Sequence, residues 1–148
     1  MKVVDLTYIR SIADDTDIIA SFMSIFNEQL IEFELGFDEE LDHRNWRRIA
    51  EIAHKAKSSI VSMGMNELAQ SMKQLEMLAK TLYVELPLAL PNIVETYKAQ
   101  LVALPDDMKQ WIADNKSIET VEQLINFYKS QAKLAKADLL EFFESKCN

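Results

Sequence analysis

The sequence predicts an all-α protein, and three observations support this. Glycine and proline, which sheets need for their turns, number only two and three in 148 residues, while 27% of the chain is charged. Apolar residues make up 49% of the chain and recur at steps of three and four along four long stretches, the spacing of one helix face. The connections between the first three stretches are short, which makes consecutive helices antiparallel neighbours. The expected architecture is an antiparallel up-down four-helix bundle forming one domain over 1–148, with a short N-terminal helix and a helical insertion before the last bundle helix. A chain of this length and apolar content can bury one real core.

The leading helix is expected over residues 3–13, with Val4, Tyr8, Ile9 and Ile12 on one side. Asp14, Asp15, Thr16 and Asp17 then offer N-cap side chains and negative charge for the first bundle helix, 16–41. Its stripe is Met23, Phe26, Leu30, Phe33, Phe37 and Leu41; Gly36 within it costs about 1 kcal/mol against alanine without breaking the helix. Phe22, Ile25, Ile31 and Leu35 widen the apolar face, and a broad core contact with two neighbouring helices is preferred for them over an exposed docking patch. Residues 42–45 form a short connection, and Asn45 suits the N-cap of the second bundle helix, 45–63. There the stripe is Trp46, Ile49, Ala53, Ala56, Ile60 and Met63, and Gly64 stands at C′, where a left-handed backbone favours glycine.

Asn66 is the candidate cap of the third helix, 66–83, striped by Met65, Leu68, Met72, Leu75, Ala79 and Leu82; methionines at this spacing belong to a core. The segment 86–116 differs in texture. It holds all three prolines and a weaker stripe of Ile93, Val94, Tyr97, Leu101 and Leu104, with Pro91 and Pro105 each suited to the first turn of a short helix. From Ser117 the pattern sharpens through Ile118, Val121, Ile125, Tyr128, Ala132, Ala135, Leu139 and Phe142, so the last bundle helix is expected at 117–144. In the alternative arrangement 91–104 completes the bundle and 117–144 packs outside it.

Composition removes several function classes. A formal charge of −8 argues against nucleic-acid binding, which needs clustered Lys and Arg. No run approaches 18 apolar residues, and MKVVDLTYIR lacks the apolar stretch of a signal peptide. The single Cys147 has no internal disulfide partner, which fits a reducing compartment, so a soluble cytoplasmic protein is expected. Glu40-x-x-His43 and Glu51-x-x-His54 have the form used by di-iron bundles, but that site needs its motifs on facing helices at one depth. His43 falls in a connection and His54 well into a helix, so a shared metal is disfavoured.

The chemically distinctive stretch is AHKAKSSIVSMG, residues 53–64. His54, Lys57 and Ser58 are surface neighbours at i, i+3 and i+4. His54 lies one residue's rotation from the core stripe, on or near solvent. An imidazole is substantially neutral at pH 7 and can serve as a nucleophile, and a phosphoryl group arriving there meets Lys57 one turn away. On spacing alone, a histidine among lysines is more often just a solvated face.

His54, Lys57, Ser59, Met63, Gly64, Leu68, Leu75 and Glu76 resemble the signature of histidine-containing phosphotransfer domains. In that family a helix carries His-x-x-Lys-Gly-Ser, then an apolar residue and a glycine, with Leu-Glu further on. The resemblance covers the central third of the chain closely and the flanking helices by pattern. It implies that His54 is phosphorylated, accepting a phosphoryl group from the aspartate of a response-regulator receiver domain or from a sensor histidine kinase, hybrid kinases included. Lys57 is then its electrostatic companion, Ser59 the serine of the signature, and Glu76 lies across from the histidine, either orienting it or solvated.

The sequence departs from the family at Ser58, where the family has glycine beside the imidazole. Access for a receiver is narrowed, and the serine hydroxyl can bond back to the His54 carbonyl. Neither Gly-x-Gly nor Gly-Lys-Ser/Thr occurs, so no nucleotide cradle and no autonomous kinase activity are expected. The implied protein is a monomeric carrier rather than an enzyme. It needs no cofactor of its own, the Mg²⁺ belonging to the partner receiver. The rival reading is a non-phosphorylated helical interaction module that docks a receiver or another partner.

Overall fold

A computed structural model describes residues 3–5 and 15–147. Its helices are α1 (Thr16–Asp42), α2 (Trp46–Ser62), α3 (Asn66–Val84), α4 (Pro91–Val102), α5 (Asp106–Asn115) and α6 (Ile118–Cys147), with no strand among the described residues. The fold is all-α, as the scarcity of turn residues and the three-four spacing predict. Among the described residues no helix is long and apolar enough to cross a membrane.

Local chemistry sets the helix ends. The Asp15 carboxylate accepts from the backbone N–H groups of Asp17 and Ile18 at 2.8 and 3.2 Å, starting α1. After α1 the chain reverses through Arg44 at φ 53°, and Asn45 caps α2 by accepting from the Arg48 N–H at 3.3 Å. α2 closes on Gly64, at φ 72°: the Gly64 N–H reaches the Val61 carbonyl at 3.0 Å and the Met65 N–H reaches the Ile60 carbonyl at 3.3 Å. That paired closure is the Schellman pattern. It leaves buried Met65 at the cap position of α3, so Asn66 is the first helical residue and not the expected side-chain cap.

α2 packs most extensively on α3; α1 packs on α2 and on α6, and α6 packs on α3. The core between them holds Met23, Phe26, Leu30 and Phe37 of α1 and the whole expected stripe of α2. From α3 it takes Leu68, Met72, Leu75 and Ala79, and from α6 Val121, Ile125, Tyr128, Ala132, Ala135 and Leu139. Gly36 lets α1 approach α2, since a Cβ there would stand 3.0 Å from Ile52 Cδ1. Tyr128 is enclosed. Its hydroxyl donates to the Leu30 carbonyl at 2.7 Å and its ring meets Phe37 edge to face at 5.3 Å.

Two expectations are corrected here. Phe22, Ile25, Ile31 and Leu35 are 38%, 56%, 44% and 64% exposed rather than joined to a broad core contact, because α2 and α6 cover one stripe of α1 and leave this flank open. Residues 3–5 of the expected leading helix are not helical. Val3 and Val4 donate their N–H groups to Asp138 Oδ2 at 2.6 and 3.0 Å, and the Asp5 N–H reaches the Met63 carbonyl at 3.0 Å. The rest of that expected helix, with Tyr8, Ile9 and Ile12, lies outside the described residues.

The segment between α3 and α6 packs through α4, and less through α5, on the outer side of α3. Tyr97 is its buried residue on α4, in edge-to-face contact with Tyr83 at 5.5 Å. The Tyr83 hydroxyl accepts from the Leu90 N–H at 2.9 Å, and a Lys116–Glu85 ion pair of 2.6 Å joins the two ends of the segment. Pro91 opens α4 as expected, whereas Pro105 stands one residue before α5, at its N-cap.

Candidate functional site

The apolar stripe of α2 turns Ala53 and Ala56 inward and leaves His54 outward, its side chain 64% exposed. Across from it on α3, Glu76 follows the core residue Leu75 and Lys80 follows Ala79. Both polar side chains are therefore drawn to the edge of the core, where they face α2 and α4. His54 Nδ1 is 3.3 Å from Glu76 Oε1. The other carboxylate oxygen, Oε2, accepts from Lys80 Nζ at 2.6 Å, and the same ammonium donates to Gln100 Oε1 on α4 at 2.6 Å. The Tyr97 ring closes this end, its centroid 5.1 Å from Lys80 Nζ.

Charge follows from this geometry. Burial by itself would raise the Glu76 carboxyl, but the hydrogen bond and charge of Lys80, joined by His54, outweigh it and hold the group below the usual carboxylate range. An ionised carboxylate only accepts. The His54 nitrogen facing it is therefore the one carrying hydrogen in the neutral ring, and Nε2 keeps a free lone pair directed away from Glu76.

His54 stands between two open clefts. One, of about 320 Å³, runs between α2 and α4 past Glu51, Lys55, Tyr97 and Gln100. The other, of about 490 Å³, is lined by Lys57 and Lys73 and walled by Met77, Ala103, Leu104 and Pro105. Lys57, expected beside His54, does share a cleft with it, and Glu76 is buried and bonded rather than solvated. Ser58 and Ser59 are not in either cleft. They line a separate groove of about 300 Å³ against Phe22, Ile25 and Phe26 of α1. The serine back-bond that forms in α2 is that of Ser62, donating to the Ser58 carbonyl at 3.1 Å, not the expected one from Ser58 to His54.

Sequence reasoning missed Lys80, Gln100, Tyr97 and Lys73. The Glu76/Lys80 pair at i, i+4 was a usable signal, being a common stabilising helix pair. Nothing local marks Gln100. His43 caps the C-terminal end of α1 in an exposed position, and no group of three His, Cys, Asp or Glu that could hold a metal assembles among the described residues. No family model matches the chain, and no curated protein or solved structure is significantly similar to it.

Proposed function

We propose that this chain is a histidine phosphotransfer protein of a two-component phosphorelay. It takes a phosphoryl group onto His54 from a receiver-domain aspartate or a sensor histidine kinase and passes it to a response regulator. The observation that carries the reading is the hydrogen bond of exposed His54 to buried, ionised Glu76. In the transfer, the Nε2 lone pair attacks phosphorus of an aspartyl phosphate; the N–P bond forms, the P–O bond to the aspartate breaks, and the aspartate leaves as a carboxylate. The ring, still protonated at Nδ1, becomes cationic, and Glu76 stabilises that charge through the same hydrogen bond. Lys57 and Lys73 border the cleft in which the phosphoryl oxygens lie. Every step runs equally in reverse. Mg²⁺ belongs to the receiver, and this chain needs no nucleotide.

The pairwise packing of α1, α2, α3 and α6 supports an up-down four-helix bundle as the platform, with α4 and α5 as its insertion; the carrier proposed is monomeric and cytoplasmic. A second reading, an interaction module that docks a receiver without carrying phosphate, is favoured by the exposed apolar residues of α1, of which Phe22 and Ile25 line the groove with Ser58 and Ser59. The experiment is incubation with a phosphorylated receiver. Acid-labile, base-stable label on wild type and on His43→Gln, and none on His54→Gln, supports the relay. Receiver binding without label on any of the three supports the module, and label from ATP and Mg²⁺ alone overturns both.

A further inference from the structure

We infer that Gln100, on the short helix α4, is a positioning residue for His54: through Lys80 and Glu76 it sets which imidazole nitrogen carries the proton. The inference bears on the site proposed above but stands on geometry and is tested without any phosphoryl transfer.

Lys80 is nearly enclosed, its side chain 9% exposed. Its ammonium is held by Glu76 Oε2, by Gln100 Oε1 and by the Tyr97 ring, so every direction open to its N–H groups has a partner. Gln100 itself is exposed and touches no atom of His54 by hydrogen bond. Without its oxygen, the ammonium loses one of its two hydrogen-bond acceptors, and the flexible lysine stem carries the charge out towards the open clefts it borders. Glu76, with a side chain 3% exposed, is then a carboxylate without its nearest cation. The buried carboxylate has then lost the contact that fixes its orientation towards His54.

The Nδ1–H form of His54 is favoured because the Glu76 carboxylate is held in place to accept from it. Once Glu76 is no longer held by Lys80, that hydrogen bond weakens, and the ring relaxes towards the Nε2–H tautomer that a free imidazole prefers. The other charged groups around His54 are Glu51, Lys55 and Lys57 from α2 and Lys73 from α3, with the Tyr97 phenol on α4. None of them makes a hydrogen bond to Glu76, so none substitutes for Lys80. The segment carrying α4 is thus part of the site and not a bystander to it.

The test is the tautomer of His54 in protein labelled with ¹⁵N-histidine, read from two-bond ¹H–¹⁵N correlations at about pH 8, where an ordinary imidazole is neutral. His43→Gln assigns the signals. Wild type is expected to hold mainly the Nδ1–H form. Gln100→Leu should lower the ratio of Nδ1–H to Nε2–H by about threefold or more, and Lys80→Met should lower it further. Gln100→Glu, which keeps an oxygen in reach of Lys80, should restore it, and Gln123→Leu, exposed on α6, should leave it unchanged. A wild-type ratio in folded Gln100→Leu or in Lys80→Met overturns the inference, as does a wild-type protein already in the Nε2–H form. Failure of label transfer with these tautomer shifts present removes the relay reading and leaves this one standing.

Discussion

Glu76 and His54 meet at 3.3 Å across the α2–α3 interface with opposite exposures, the carboxylate buried and the imidazole in solvent. That asymmetry gives one member a fixed charge and orientation and the other access to a partner. It also makes Glu76 a stability determinant with a defined pH range.

Glu76→Gln keeps the shape but leaves Lys80 without its anion, and is expected to destabilise the fold by about 1–3 kcal/mol at pH 7. Because the folded carboxyl lies below its ordinary value of 4.5, its contribution is complete above 4.5 and is lost as pH falls through the lower folded value. Urea melts of both proteins from pH 7 downwards check this. A gap between them that widens in acid would contradict the charge assignment.

Lys57 is half-buried at the rim of the cleft and off the core stripe. Lys57→Ala should slow phosphorylation of His54 by about tenfold with an unchanged circular dichroism spectrum. Ser58→Gly should leave transfer equal or faster, while costing about 0.5–1 kcal/mol because glycine weakens a helix interior. Single-turnover transfer from a phosphorylated receiver measures both, and wild-type kinetics in Lys57→Ala would remove its role.

α6 contributes enclosed residues from Val121 to Leu139, whereas α4 contributes Tyr97. Truncation after Lys116 should therefore expose the facing stripes and give unfolded or aggregated protein. Replacing 86–116 by a flexible linker should leave a cooperative thermal melt but impair His54, since Gln100 and Tyr97 go with it. The opposite order of thermal stabilities would reverse the roles of α4 and α6.

Asp138 is 5% exposed and accepts from both Val3 and Val4. Asp138→Ala leaves those N–H groups without their acceptor and should cost about 1–3 kcal/mol, with faster hydrogen exchange at Val3 and Val4. Unchanged exchange there would detach the N-terminal segment from this carboxylate.

What the sequence determined on its own was local. The second and third long helices, expected at 45–63 and 66–83, form as Trp46–Ser62 and Asn66–Val84, because periodicity, the Asn45 cap and the Gly64 stop act within a few residues of one another. His54 could be read as exposed for the same reason: one residue's rotation from Ala53 suffices. Tertiary structure decided what lies between helices. The flank of Phe22 and Leu35 looks like core by hydropathy, and only the number of helices closing around α1 leaves it in solvent. Glu76 reads equally as solvated or buried until α2 stands opposite it, and Lys80 finds Gln100 only because α4 folds back on α3, twenty residues further along the chain. The hydrogen bonds that link His54 to Glu76 and Lys80 to Gln100 join residues 22 and 20 apart in the chain. A pattern with a period of three or four residues holds no record of them, because their geometry comes from packed helices rather than from the turns of any one helix.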